Sequence, residues 1–116
     1  MNFNEEIFKI ACIIKKFILE SEKMLENIPR HDFYNRDKFR NDVTELLRLV
    51  YLANLIDEKI TKKQYQLDIC ARISMLDFYL ERAYILKYIS EKQLYNYTKR
   101  LEIILKMTKG WIKSCE

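Results

Sequence analysis

Residues that turn a backbone sharply are nearly missing: the 116-residue chain has one glycine, Gly110, and one proline, Pro29. Sandwiches, meanders and phosphate-cradling loops rely on such residues for their special backbone angles. Their scarcity excludes β and α/β architectures and leaves an all-α protein. Histidine is nearly absent as well, with His31 alone. The three cysteines, Cys12, Cys70 and Cys115, are far apart and form no Cys-x-x-Cys pair. Neither a zinc knuckle nor a disulfide framework is therefore expected, and free thiols fit a reducing cytoplasm. Long apolar runs are missing too. The run nearest the start, Ile10 to Ile14, follows Glu5 and Glu6 and is closed by Lys15 and Lys16, so no signal peptide and no membrane span is expected.

What is present is 49% hydrophobic and 33% charged residues, enough for one core in a single domain over 1–116. Four helices are expected, over 4–27, 36–57, 62–88 and 91–113. Asn4 before two glutamates reads as a helix N-cap, and Pro29 denies the helical conformation to Ile28. Thr61 with Gln64, and Ser90 with Gln93, match the capping box and set the starts of the third and fourth helices. Segments roughly 33 to 40 Å long with short connections predict an antiparallel, up-down-up-down four-helix bundle. Inward stripes read as Ile7, Ile10, Ile14, Phe17, Ile18 and Leu25 in the first helix and Tyr65, Ile69, Ile73, Leu76, Leu80 and Ala83 in the third. In the fourth helix the stripe is Leu94, Tyr97, Leu101, Ile104, Leu105, Thr108 and Ile112.

Three helices carry more apolar surface than one inward side needs. Phe8, Cys12 and Leu19 form a second stripe on the first helix, and Leu67, Ala71, Phe78 and Ile85 form one on the third. Between Leu46 and Ile56 only Arg48 and Asn54 interrupt the apolar sequence, so the second helix is apolar nearly all round. A lone small bundle does not need such helices, and self-association is expected.

Catalytic patterns are missing. A di-iron bundle needs Glu-x-x-His motifs from two helices, and His31 has Ile28 three residues before it. Beside His31 stands only the adjacent Arg30, unlike the spaced Arg and His of helical ribonucleases. No serine has a histidine at helical spacing to act as base. No enzyme activity, metal or cofactor is expected, and His31 reads as a solvated loop residue.

Charge, by contrast, is patterned. The net charge is +4, and the positive excess falls in the last two helices. Lys92, Lys99, Lys106 and Lys113 recur every seven residues, so each is turned only about 20° from the last along one side of the fourth helix. Lys109 and Tyr95 border that row. Cations in line with an aromatic ring beside them suit a phosphate backbone and a stacked base. The ordinary reading is the solvated side of a soluble helix. Arg72 falls on the inward side of the third helix with Asp68 one turn earlier as its expected partner. Arg48 reads as a subunit or partner contact.

With these helices placed, the chain resembles the accessory variability determinant proteins of diversity-generating retroelements. More broadly it is similar to the small four-helix bundles encoded in ribosomal-RNA intervening sequences. Three segments carry the likeness: Ile28-Pro29-Arg30 after the first helix, Met75-Leu76-Asp77-Phe78-Tyr79-Leu80 in the third, and Lys109-Gly110-Trp111-Ile112-Lys113-Ser114 at the close. The resemblance implies a non-enzymatic partner of an error-prone reverse transcriptase, a homopentamer that binds RNA or cDNA and supports mutagenic copying. On that reading Lys92, Lys99, Lys106, Lys109, Lys113 and Tyr95 meet nucleic acid. Phe8, Cys12, Leu19, Arg48, Leu67, Phe78, Arg82 and Ile85 serve oligomer or partner contacts. Where some members carry arginines in the third helix, this chain has Asp77 and Glu81 beside Arg82. The alternative expectation is a self-associating scaffold of the intervening-sequence type, without a nucleic-acid role.

Overall fold

The computed structural model describes residues 5–116, with side chains from Lys9 onward. Four α-helices follow in order: α1 (Glu5–Leu25), α2 (Phe39–Leu55), α3 (Lys59–Ile85) and α4 (Glu91–Ser114). A π-helical turn over Tyr34–Lys38 leads directly into α2. No strand occurs among the described residues, and none of the described helices is long and apolar enough to cross a membrane. The cap expected at Asn4 and the side chains of Ile7 and Phe8 lie outside the described residues.

Each helix packs on two others, α1 and α3 both lying against α2 and α4. The bundle measures 43 × 23 × 22 Å, a length set by α3, whose 27 residues span about 40 Å. Apolar side chains at helical spacing fill its axis. Ile10, Ile14 and Phe17 come from α1, Leu46 and Val50 from α2, Ile69, Leu76 and Leu80 from α3, and Leu101 and Ile104 from α4. Phe17 is an aromatic hub, with its ring centre 6.3 Å from that of Phe39 and 6.0 Å, edge-on, from that of Tyr97. Trp111 is fully buried at the far end of α4, one position off the stripe expected there.

The ends of α1, α2 and α3 differ from expectation for local reasons: α2 runs over Phe39–Leu55 and not 36–57, because the π-helical turn takes up its first residues and Ile56 is extended. α1 stops at Leu25, and the chain then tightens, Asn27 donating to the Met24 carbonyl and Ile28 to the Leu25 carbonyl at 3.1 Å each. Buried Ile28 anchors this turn before Pro29. α3 begins at Lys59, three residues before the expected start, because its cap is Glu58 and not Thr61. The Glu58 carboxylate accepts from Ile60 N at 3.1 Å and Thr61 N at 2.7 Å, and the Thr61 hydroxyl donates to it as well. A full negative charge at the positive helix end outcompetes a neutral hydroxyl. These bonds, Thr61 foremost, hold the Glu58 carboxyl below its usual range. α4 starts as its sequence predicts: Gln93 N donates to Ser90 Oγ at 3.1 Å, and Ser90 N to Gln93 Oε1 at 2.9 Å.

The end of α3 is a Schellman motif. Tyr88 N donates to the Ala83 carbonyl at 2.8 Å and Lys87 N to the Tyr84 carbonyl at 2.9 Å, closing the helix three residues before the expected end. Lys87 takes φ 66°, the left-handed conformation for which glycine is the usual choice. Lys87→Gly is therefore expected to raise the unfolding free energy by about 1 kcal/mol. Urea unfolding followed by circular dichroism checks this; a loss of stability would contradict the assignment of strain to Lys87.

Candidate functional site

Ser90 and Gln93 fix the first turn of α4, and burial of Leu101, Ile104, Thr108 and Trp111 fixes its rotation. The other side therefore points to solvent. Lys92, Lys99, Lys106, Lys109, Lys113 and Tyr95 are all exposed. The row from Lys92 to Lys113 is about 32 Å long. Its members are not equally free to meet a ligand. Lys99 Nζ lies 3.7 Å from Glu102 Oε2 and 5.5 Å from the centre of the Tyr95 ring. Lys109 lies near Cys70 of α3, whose thiol is pushed up by burial and pulled back only in part by that lysine.

The two borders of this row differ in sign. Toward α3 a shallow groove is edged by Asp77, Glu81, Glu91 and Glu102. Toward α1 the neighbours are Lys16, Lys23 and Arg100, with Arg100 paired to Glu20. Positive potential therefore leans toward α1. Lys16 and Lys23 lie outside the set expected from sequence, although Lys9, Lys16 and Lys23 carry the same seven-residue spacing as the α4 row.

The second apolar stripes stay outside the core of the chain. Leu19, Leu67, Phe78 and Ile85 are exposed, as is Cys12; the side chain of Phe8 lies outside the described residues. Arg48 is exposed and holds Glu45 one turn earlier. α2 turns Leu46, Leu49, Val50 and Ala53 inward, and leaves Leu47, Tyr51 and Leu52 half-buried.

Arg82, expected at a partner contact, is held within its own subunit. Its Nη1 donates to Asp32 Oδ1 at 2.8 Å and Oδ2 at 2.9 Å, and to Asn35 Oδ1. Tyr88 OH donates to Asp32 Oδ2 at 2.8 Å, and Asn35 N to Asp32 Oδ1 at 3.1 Å. Asn35 Nδ2 completes the cluster by donating to the Tyr79 carbonyl at 2.6 Å. Asp32 is buried. Burial opposes its ionisation most strongly, but the hydrogen bonds from Arg82, Tyr88 and Asn35 together outweigh it, and the carboxyl stays below its usual range. Arg72 finds its expected partner, Asp68, at 3.4 Å and a second one in buried Asp42 of α2 at 3.3 Å. No sequence spacing announces either long-range acid, because the pairs join residues 30 and 50 positions apart.

No protein-family model, no curated protein and no solved structure matches the chain.

Removing Arg82 leaves a buried carboxylate without its cation, and Arg82→Ala is expected to cost about 2 to 3 kcal/mol in urea unfolding. The folded value of Asp32 is depressed below 3.8, so its contribution is complete above that pH and drains away as pH falls through the lower folded value. The stability gap between wild type and Asp32→Asn should thus be constant near neutrality and close in acid. A gap that widens in acid would contradict the ionised assignment.

Proposed function

We propose that the chain is a non-enzymatic accessory factor that self-associates and holds nucleic acid along the lysine row of α4. In this reading it works in the cytoplasm beside the error-prone reverse transcriptase of a diversity-generating retroelement, a role supported by its resemblance to accessory variability determinant proteins. One observation carries the nucleic-acid part: four lysines seven residues apart are exposed on one side of α4 while Leu101, Ile104, Thr108 and Trp111 are buried on the other. Such a row neutralises phosphates in sequence, and exposed Tyr95 offers a stacking surface at its border.

The reading takes the bundle as up-down-up-down, with neighbouring helices antiparallel. Cross-helix pairs support that order, since each joins the early part of one helix to the late part of the next. Arg40 meets Glu22, Lys63 meets Glu116, and the Tyr97 hydroxyl meets the Glu20 carbonyl. α1 and α4 then lie side by side, with the lysine row of α4 on the outer surface. A ring of copies, five by the same resemblance, would repeat that surface and add its fields.

A scaffold without a nucleic-acid role is the second reading, and the Glu102 carboxylate on Lys99 favours it. A titration of labelled single-stranded RNA at several salt concentrations separates the two. Four phosphate contacts predict a slope of log K against log salt of about −3 per protomer, and Lys106→Gln with Lys113→Gln should flatten it to about half. Binding that ignores salt, or no binding at all, would overturn the nucleic-acid role and leave the scaffold.

A further inference from the structure

α3 has a second apolar side that its own subunit leaves uncovered. Ile60, Leu67, Phe78 and Ile85 are 70, 51, 53 and 73% exposed, and Ala71 and Ser74 between them are exposed too. From Ile60 to Ile85 these residues follow the alternating spacing of three and four, with some turns skipped, that defines a coiled-coil seam. The groove between α3 and α4 runs beside the seam, with Leu101 and Leu105 in its lining and Asp77, Glu81, Glu91 and Glu102 along it. Among the described residues no ion pair engages Asp77, Glu81 or Glu91.

α1 sits diagonally across the bundle, since both α1 and α3 pack on α2 and α4. Its outer ridge carries Cys12 and Leu19, the latter 72% exposed, flanked by exposed Lys16 and Lys23. No ion pair among the described residues engages these two lysines either. One corner of the molecule is thus apolar with three acids outside any such pair, Asp77, Glu81 and Glu91, while Lys99 in the same groove holds Glu102, and the opposite corner is apolar with two lysines outside any such pair.

We infer that copies of this chain join head to tail. The Cys12–Leu19 ridge of one α1 docks on the α3 seam of the next copy, and its Lys16 and Lys23 enter the acidic α3–α4 groove. This rests on the self-association proposed above and names the surfaces that achieve it. Pairing α3 with α3 would bring Asp77 and Glu81 of two copies onto one apolar seam, and pairing α1 with α1 would do the same with lysines; like charges at an interface are strongly disfavoured. Because each copy uses two different corners, the contact is heterologous: it builds a ring where its rotation closes and an open filament where it does not.

The test uses the full chain, sized by light scattering over a dilution series, with circular dichroism confirming that each variant is folded. Lys16→Glu with Lys23→Glu, and separately Asp77→Lys with Glu81→Lys, should each weaken self-association about a hundredfold. Mixing the two variants in equal amounts should restore the wild-type mass, because each reversed corner then meets its complement. Retention of wild-type mass by the lysine variant alone would assign the contact to α3 against α3 and overturn the head-to-tail arrangement. Failure of the mixture to reassemble would overturn it as well. A wild-type mass of one chain at every concentration would remove self-association itself, a different failure from an assembly that ignores these charges.

Discussion

α3 is greasy on two opposite sides, and only one of them can face the core of its own bundle. Ile69, Ile73, Leu76 and Leu80 fill that core. Ile60, Leu67, Phe78 and Ile85 remain in water on the other side. Burying a large aliphatic or aromatic side chain stabilises by about 1.5 to 3 kcal/mol, so four half- to three-quarter-exposed residues leave several kcal/mol unrealised in the isolated chain. A second surface that covers them would recover it. The assembly we propose, and any crowding of lysines it would produce, rests on this one excess.

Polar contacts determine which side of α3 faces outward. Buried Asp32 lies just before the helical run that becomes α2, and buried Asp42 lies within its first turn. Each takes an arginine from α3, Arg82 and Arg72 respectively. Two such clamps ten residues apart on α3 fix both its rotation and its register against α2, since a carboxylate removed from water tolerates no loss of its partner. Rotating α3 to hide Phe78 or Ile85 would break both clamps. The apolar seam is therefore held outward by buried charge, while the α4 lysines are held outward by the burial of Trp111, Ile104 and Leu101.

Local rules were legible in the amino-acid order, and long-range ones were not. Helical spacing places Ile10, Ile14, Phe17, Ile69, Ile73, Leu76, Leu80, Leu101 and Ile104 inside, where the structure has them. The Ser90 and Gln93 box needs only residues three apart, and it forms. The same pattern at Thr61 fails because Glu58, three residues earlier, caps the helix first and takes both the N–H and the hydroxyl of Thr61. Lys87 carries no mark of its left-handed turn, since lysine rarely adopts one. Arg72 with Asp68 is readable one turn apart, whereas Asp42 and Asp32 become partners only after the helices pack. For the site, the α4 row stands out by its period, and the matching row on α1 becomes relevant only once α1 is known to lie beside α4.

The claim that one side of α3 awaits a second copy is tested most directly by side-chain accessibility in solution. Hydroxyl-radical footprinting read out by mass spectrometry would follow Leu67 and Phe78 at high protein concentration and again after strong dilution. Covered by another copy, both should label slowly when concentrated and at least several-fold faster when dilute. Equal labelling at the two concentrations would mean that these residues face water throughout, and the double-sided account of α3 would be wrong.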